Sequence, residues 1–244
     1  VSVRALLEDG HVVSVALLAR EGGLPASLRA HMYEGGRVRG NMLPDVLTSQ
    51  LRDEAAGAPV GLRVMRIATH AAARSRGLGS LLLDRVRAEF ATDVDWLGTG
   101  YGATPELIRF WGGNGYHALH LSTTRNAASG EHSALMLRPT REAGRALLDR
   151  HASRFVERVG AVLTDTLSSV DPDVVRGALR TVDAAVELDL DAADWRLVAA
   201  AAYGPGLLDV DPGPFRRLAL KHLVEGTPGA ELGDRAERLL VERV

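Results

Sequence analysis

Arg74-Ser75-Arg76-Gly77-Leu78-Gly79 stands between a strand-like run, Leu62 to Thr69, and a helix-like run, Ser80 to Phe90. A glycine-rich turn that opens a helix gathers several unpaired backbone N–H groups at one point, and the positive end of the helix dipole is aimed there too. That arrangement suits a diphosphate, and Gly77 and Gly79 let the backbone approach it without a Cβ in the way. A dinucleotide fingerprint is excluded because the third glycine of G-x-G-x-x-G is missing, and a P-loop because no G-K-S/T follows.

Outward from this turn, the order of elements reads as α/β. Val3 to Leu7 and Val12 to Ala19 read as strands joined by Asp9-Gly10, a favoured hairpin turn. The stretch Glu21 to Gly40 has weak periodicity. Met42 to Ala56 carries Leu43, Val46, Leu47 and Leu51 at helical spacing and predicts one helix. Val94 to Gly98 reads as a short buried strand, and Pro105 opens a helix that stops at Gly112-Gly113. Tyr116 to Thr123 and Ser133 to Leu137 are a closing strand pair.

After Pro139 the character changes. Leu147, Leu148, Phe155, Val159, Val162 and Leu163 mark a long amphipathic helix. Asp171-Pro172 starts another, and helical patterns cover about Ala192 to Tyr203, Pro214 to Leu223 and Ala230 to Arg243. The expected organisation is an α/β domain over 1–140, with an insertion at about 21–60, followed by an all-α domain over 141–244.

The 244 residues are 46% hydrophobic and 25% charged, as in an ordinary soluble globular protein. No apolar run approaches the ~20 residues that span a bilayer, so no membrane association is expected. Val1 is not preceded by a methionine and no signal peptide is visible, which reads as a cut inside a longer, cytoplasmic protein. With no cysteine there is no disulfide, no cysteine-based zinc site and no cysteine nucleophile, and no metal is expected. The formal net charge of −2 does not advertise a nucleic-acid binder, but local patches matter more than totals. Lys221 is the only lysine; a GC-rich genome accounts for that.

Longer stretches sharpen the reading. The glycine turn has the R-x-x-G-x-G spacing of the pyrophosphate loop of GNAT acetyltransferases. Met65 to His70 reads M-R-I-A-T-H. Gly100 to Trp111 reads G-Y-G-A-T-P-E-L-I-R-F-W, followed by Asn114-Gly115-Tyr116. Leu43 to Leu51 reads L-P-D-V-L-T-S-Q-L. Together these resemble the GNAT module of the tRNA(Met) cytidine acetyltransferase family, and the likeness spans the whole chain. It implies a GNAT-like acyltransferase fold with a mixed sheet and a tRNA-binding helical tail. It also implies acetyl transfer from acetyl-CoA to N4 of a tRNA cytidine, notably the wobble cytidine of elongator tRNA(Met). In that family ATP is used by an upstream helicase-like module, and no Walker A sequence occurs here.

The resemblance assigns roles residue by residue. Ile67, Ala68 and Thr69 offer backbone groups to the pantetheine arm; otherwise they are a buried strand. Arg74, Ser75, Arg76, Gly77, Leu78, Gly79 and Ser80 form the pyrophosphate cradle. Glu106 either favours its helix dipole or faces the cleft as a cofactor contact or catalytic base. His70 is more readily a turn residue than a catalyst. Tyr101 and Tyr116 are candidates to protonate the departing thiolate, with Tyr116 better read as core. Phe110 and Trp111 read as core. Gly112-Gly113 stand where the family often has a basic residue.

For RNA, Arg29, Arg37 and Arg39 in the insertion and Arg141, Arg145, Arg150, Arg154 and Arg158 on the long helix are candidates. Asp149 and Glu157 intervene, so a solvated, salt-bridged face is the competing reading. Two rivals stay open at this level. One is a GNAT enzyme acting on a protein lysine or small amine, and the other is a non-catalytic RNA-binding fragment.

Overall fold

Six strands form one mixed sheet in the order β1-β2-β3-β4-β6-β5. The computed structural model describes residues 1–127, 130–227 and 232–243. In it β1 spans Ser2–Glu8, β2 His11–Gly22, β3 Val60–Thr69, β4 Trp96–Gly102, β5 His117–Arg125 and β6 His132–Pro139. Asp9 and Gly10 both take positive φ, 50° and 81°, as the tight hairpin between β1 and β2 requires. Neighbours pair antiparallel except β3 and β4, which are parallel. A parallel pair needs a crossover, and α3 (Leu78–Phe90) supplies it.

The β3–β4 ladder is short. It runs from Gly61 opposite Trp96 to Val64 opposite Thr99 and then stops. Beyond it β3 stays on β2 as far as Thr69, and β4 stays on β6 as far as Gly102. The cause lies one residue on. Leu17 of β2 faces Arg66 while Leu18 faces Val64, so Met65 is an extra residue in β3. A bulge of this kind bends its strand and raises its twist. Here it turns β3 away from β4.

Each face of the sheet has its own cover. On one, α3 and α4 (Pro105–Gly113) bury Leu82, Leu83, Val86, Ile108 and Trp111 against Ala16, Leu18, Leu62 and Val64. On the other, Leu43, Leu47 and Ala56 from the β2–β3 connection meet Trp96, Leu119, Leu137, Leu147 and Leu148.

That connection differs from the single helix expected over Met42 to Ala56. It holds α1 (Ala26–Tyr33), which weak periodicity concealed, and a short α2 (Met42–Asp45). A wide π turn (Val46–Gln50) and a 3-10 turn (Glu54–Gly57) follow, with Arg52 at φ 58° between them. Two carboxylates override the helical pattern. Buried Glu21 accepts the Leu43 N–H at 3.0 Å, which fixes the start of α2, and it also pairs with Arg63. Asp53 accepts from His151 Nε2 at 3.0 Å and from Arg150 at 3.0 Å, which draws the chain out of its helix.

The second half is helical: α5 (Glu142–Val162), α6 (Pro172–Leu179), α7 (Ala192–Tyr203), α8 (Gly213–Glu225) and α9 (Asp234–Arg243). Residues 230 and 231, where the last helix was expected to begin, lie outside the described residues. Asp171 caps α6 by accepting the Asp173 N–H at 2.9 Å. Buried Glu237 pairs with Arg176 and Arg180, tying α9 to α6. Ala152, Phe155, Val156 and Val159 of α5 belong to the same apolar cluster as the α3–α4 face. The core therefore runs on across Thr140.

Asp53 gives a test. Burial pushes its carboxyl up, but hydrogen bonds from His151 and Arg150 outweigh this and hold it at about 2. A lowered carboxyl contributes stability above its ordinary value near ~4 and loses it as pH falls toward the folded value. Asp53→Asn is expected to cost about 1–3 kcal/mol near neutral pH, since it weakens the partner of a buried ring. In denaturant titrations the gap between wild type and variant should close between about pH 4 and pH 2.

Candidate active site

A cavity of about 490 Å³ opens at the N-terminus of α3. Its floor is the glycine turn: Arg74, Ser75, Gly77, Leu78, Gly79 and Ser80 all line it. Ser75 and Gly77 take positive φ, 59° and 74°, which curls the chain into the helix. The first backbone bond of α3 runs from the Leu81 N–H to the Gly77 carbonyl at 2.9 Å. The amides before it in the helix have no backbone acceptor, and the dipole of a 13-residue helix adds to them. No acidic residue is among the lining residues described. This donor set and charge fit a diphosphate.

Ile67, Ala68 and Thr69 form the adjoining wall. They pair with β2 at Ala16, Val15 and Ser14 but lie beyond the last β4 partner, so one backbone edge is left without a strand. Ser14 Oγ steadies this end, 3.2 Å from the Ala68 carbonyl and 3.1 Å from Thr69 Oγ1. Ala73, Leu107 and Phe110 complete the cavity. Sequence reasoning missed these three and assigned Phe110 to the core. The signal available was the i, i+3 spacing of Leu107 and Phe110 on one helix face.

A second cavity, about 420 Å³, adjoins the same strands. Arg66, next to Ile67, lines it together with Gly100, Tyr101 and Gly102 of β4. Gln50 and Met42 of the β2–β3 connection stand against His120, Ser122 and Asn126 from the β5 side. No acidic residue is among its described lining residues. The Tyr101 phenol is pushed up by burial and sits 2.9 Å from Met136 Sδ. Burial, together with the Arg158 guanidinium, pushes the His120 ring down to about 4. Arg158 Nη2 donates to the Leu119 carbonyl at 2.8 Å, and Arg154 is close enough to press on its charge.

The other expected residues are scattered. Arg76 turns away from the cradle to Glu8, at 3.0 Å, fastening the loop to the hairpin. Glu106 is 73% exposed, pairs with Arg109 at 3.5 Å and lines neither cavity. His70 accepts the Ala72 N–H at 3.3 Å, as a turn residue does. Tyr116 is 1% exposed and its phenol is pushed up by burial. Trp111 packs in the core between Tyr101 and Tyr116, with ring centroids 5.9 and 4.8 Å away. Gly112 and Gly113 are the last two residues of α4, which ends where the sequence reading placed its stop. Arg29 holds the Leu24 carbonyl at 2.7 Å.

On α5, Arg150 is committed to Asp53 and Arg158 to Leu119. Arg141, Arg145 and Arg154 enter no ion pair with the described residues. Among the described residues no helix is long and apolar enough to cross a membrane.

With this geometry in view, a family model described as GNAT acetyltransferase 2 matches residues 7–93 and 81–141. The chain is 60% identical over 243 residues to the tRNA(Met) cytidine acetyltransferase of Haloarcula marismortui, covering 100% of this chain and 31% of that protein. It is 61% identical to that of Haloferax volcanii over 243 residues, at 100% and 32% coverage. It is 36% identical over 245 residues to that of Nitrosococcus halophilus, at 100% and 33% coverage. The chain thus spans about a third of the length of these curated relatives.

The two turn glycines should respond differently. A Cβ on Gly77 meets nothing within 4 Å, but its φ of 74° strains any L residue. Gly77→Ala is therefore expected to lower stability by about 1–2 kcal/mol. A Cβ on Gly79 meets the Phe110 ring at 3.2 and 3.3 Å and carries no φ penalty. Gly79→Ala should cost stability little while pressing Phe110 into the cavity. Denaturant unfolding of both variants, beside ligand titration of the second, checks the contrast.

Proposed function

Because the chain belongs to the GNAT acetyltransferase 2 family, we propose that it is the acetyl-transfer module of a tRNA cytidine N4-acetyltransferase. Acetyl-CoA is the donor. Ile67, Ala68 and Thr69 receive its pantetheine arm on their free backbone edge, and Arg74, Ser75 and Gly77 through Ser80 cradle the pyrophosphate, with Arg76 fastening the turn to Glu8. Glu106, beside the lining residue Leu107, acts at the rim as a donor contact. The acceptor is a cytidine of tRNA, the wobble cytidine of elongator tRNA(Met). The names of the three relatives support that substrate.

The second cavity carries the choice of acceptor. It reaches the splayed strands through Arg66, next to the donor wall, and its described lining holds no carboxylate. An alkyl amine is a cation at neutral pH, and a pocket selecting one gains by a nearby acid. A nucleobase is planar, neutral and rich in amide-like groups. Gln50 and Ser133 match it as hydrogen-bonding partners. A protein lysine or small amine is the poorer fit. The open donor cradle counts against a purely RNA-binding role.

The base must leave its stack to enter, as in other base-modifying enzymes. Arg141, Arg145, Arg150, Arg154 and Arg158 are the proposed RNA contacts of the helical region 141–244, with residues 1–140 as the catalytic module. Arg154 weighs most, since it enters no ion pair with the described residues and adjoins Arg158, which stands beside His120. ATP use is assigned to an upstream helicase-like module of the same cytoplasmic protein.

The direct test incubates the full-length protein with labelled acetyl-CoA, ATP and tRNA, and analyses the nucleosides by mass spectrometry. N4-acetylcytidine is expected. Label appearing only on protein or on free amines would sink the reading. Gly79→Glu should abolish acetyl-CoA binding in calorimetry by steric block and charge repulsion. Reversing Arg145 and Arg154 to Glu should weaken tRNA binding and reduce the slope of log affinity against log salt by about 1–2.

A further inference from the structure

Acylation of an amine releases a proton, and few groups in the acceptor cavity can take it. Of its titratable lining residues, Arg66 is a cation and Tyr101 a phenol kept protonated by burial. The remaining one is His120. It lies on β5 opposite Leu135 of β6, which lies opposite Gly100 of β4. Two strand spacings, about 10 Å, separate His120 from Gly100. The imidazole and Gly100 to Gly102 line one cavity, at the place where β4 has parted from β3.

We propose that His120 is the general base that takes the proton of the cytidine N4 amine; this rests on reading the cavity as the acceptor site. A C–N bond forms from the N4 lone pair to the acyl carbon, and the C–S bond breaks with its electrons on sulfur. His120 takes one N4 proton through its unprotonated ring nitrogen. The imidazolium then returns a proton to the departing thiolate. The products are the N4-acetylated base and the free thiol, with His120 restored.

The surroundings suit that task. Burial and Arg158 hold the ring near 4, so the accepting nitrogen is free at neutral pH. Arg158 and Arg154 come from α5 with Glu157, Arg66 from β3, and Glu131, just before β6, lays its carboxylate against Gly102. The β2–β3 connection contributes only the uncharged Met42, Val46 and Gln50 to the lining. This excess of positive charge discourages the imidazolium from lingering and favours return of the proton. So weak a base could not deprotonate an alkyl ammonium. The N4 lone pair is delocalised into its ring, so the nitrogen becomes strongly acidic as the C–N bond forms. A weak base is then matched to it.

The test uses the full-length protein with ATP and tRNA, comparing wild type, His120→Gln and His120→Ala. Turnover is expected to fall about 100-fold or more in both variants. Acetyl-CoA affinity by calorimetry and tRNA affinity without donor should both stay within about twofold, which also certifies the fold. Free imidazole should restore part of the His120→Ala rate and none of the His120→Gln rate. Turnover near wild type in His120→Gln, or a loss accounted for by tRNA affinity alone, would overturn the proposal and leave the acetyltransferase reading standing. A wild type that forms no N4-acetylcytidine overturns both.

Discussion

The parting of β3 from β4 after Val64 and Thr99 is the constraint on which the site depends. A continuous parallel ladder would satisfy the backbone of Ile67 to Thr69 on both sides and leave no groups for a ligand. The extra residue at Met65 relieves this at small cost, because β3 keeps its β2 partners through Thr69. The unpaired edge is a deliberate local deficit in a sheet otherwise fully paired at its centre. One cavity opens beside the break against α3 and α4, and the other on the side of the β2–β3 connection.

The cradle and the break work as one unit because α3 follows β3 directly. The turn from Thr69 to Leu78 converts the end of a splayed strand into the start of a helix. The amides of the cradle and the free edge of β3 therefore lie along a single wall, with Phe110 and Leu107 of α4 opposite. Arg76, which a motif reading would place on phosphate, instead anchors the turn to Glu8. The backbone supplies most of the donors, and a backbone site is insensitive to side-chain identity apart from its glycines.

The sequence made the order of strands and helices legible, along with the glycine turn that opens α3 and the Asp9-Gly10 hairpin, because each rests on local chemistry. What it hid depends on tertiary context. Met42 to Ala56 has a sound helical period, yet Asp53 is worth more paired with His151 and Arg150 than extending a helix. The bulge at Met65 leaves no mark in M-R-I-A-T-H, since a register shift is a property of two strands. Phe110 was legible as apolar but not as cavity wall, because the partner it faces is Gly79, far off in sequence. His120 carried no motif at all; its place beside the splay follows from the β4-β6-β5 order.

The connection between β2 and β3 shows how a loop rich in glycine is made into a wall. Glu21 grips it at Leu43 and Asp53 grips it at α5, so Met42, Val46 and Gln50 hang between two fixed points. Both anchors are carboxylates that draw on cations and amides outside the cavity. Neither of these carboxylates lines the cavity, while Glu131 lays its own against Gly102. On the proposed reading of this cavity, a neutral imidazole flanked by Arg66 and Arg158 disfavours an ammonium acceptor and suits a neutral amine whose nucleotide brings its own phosphate.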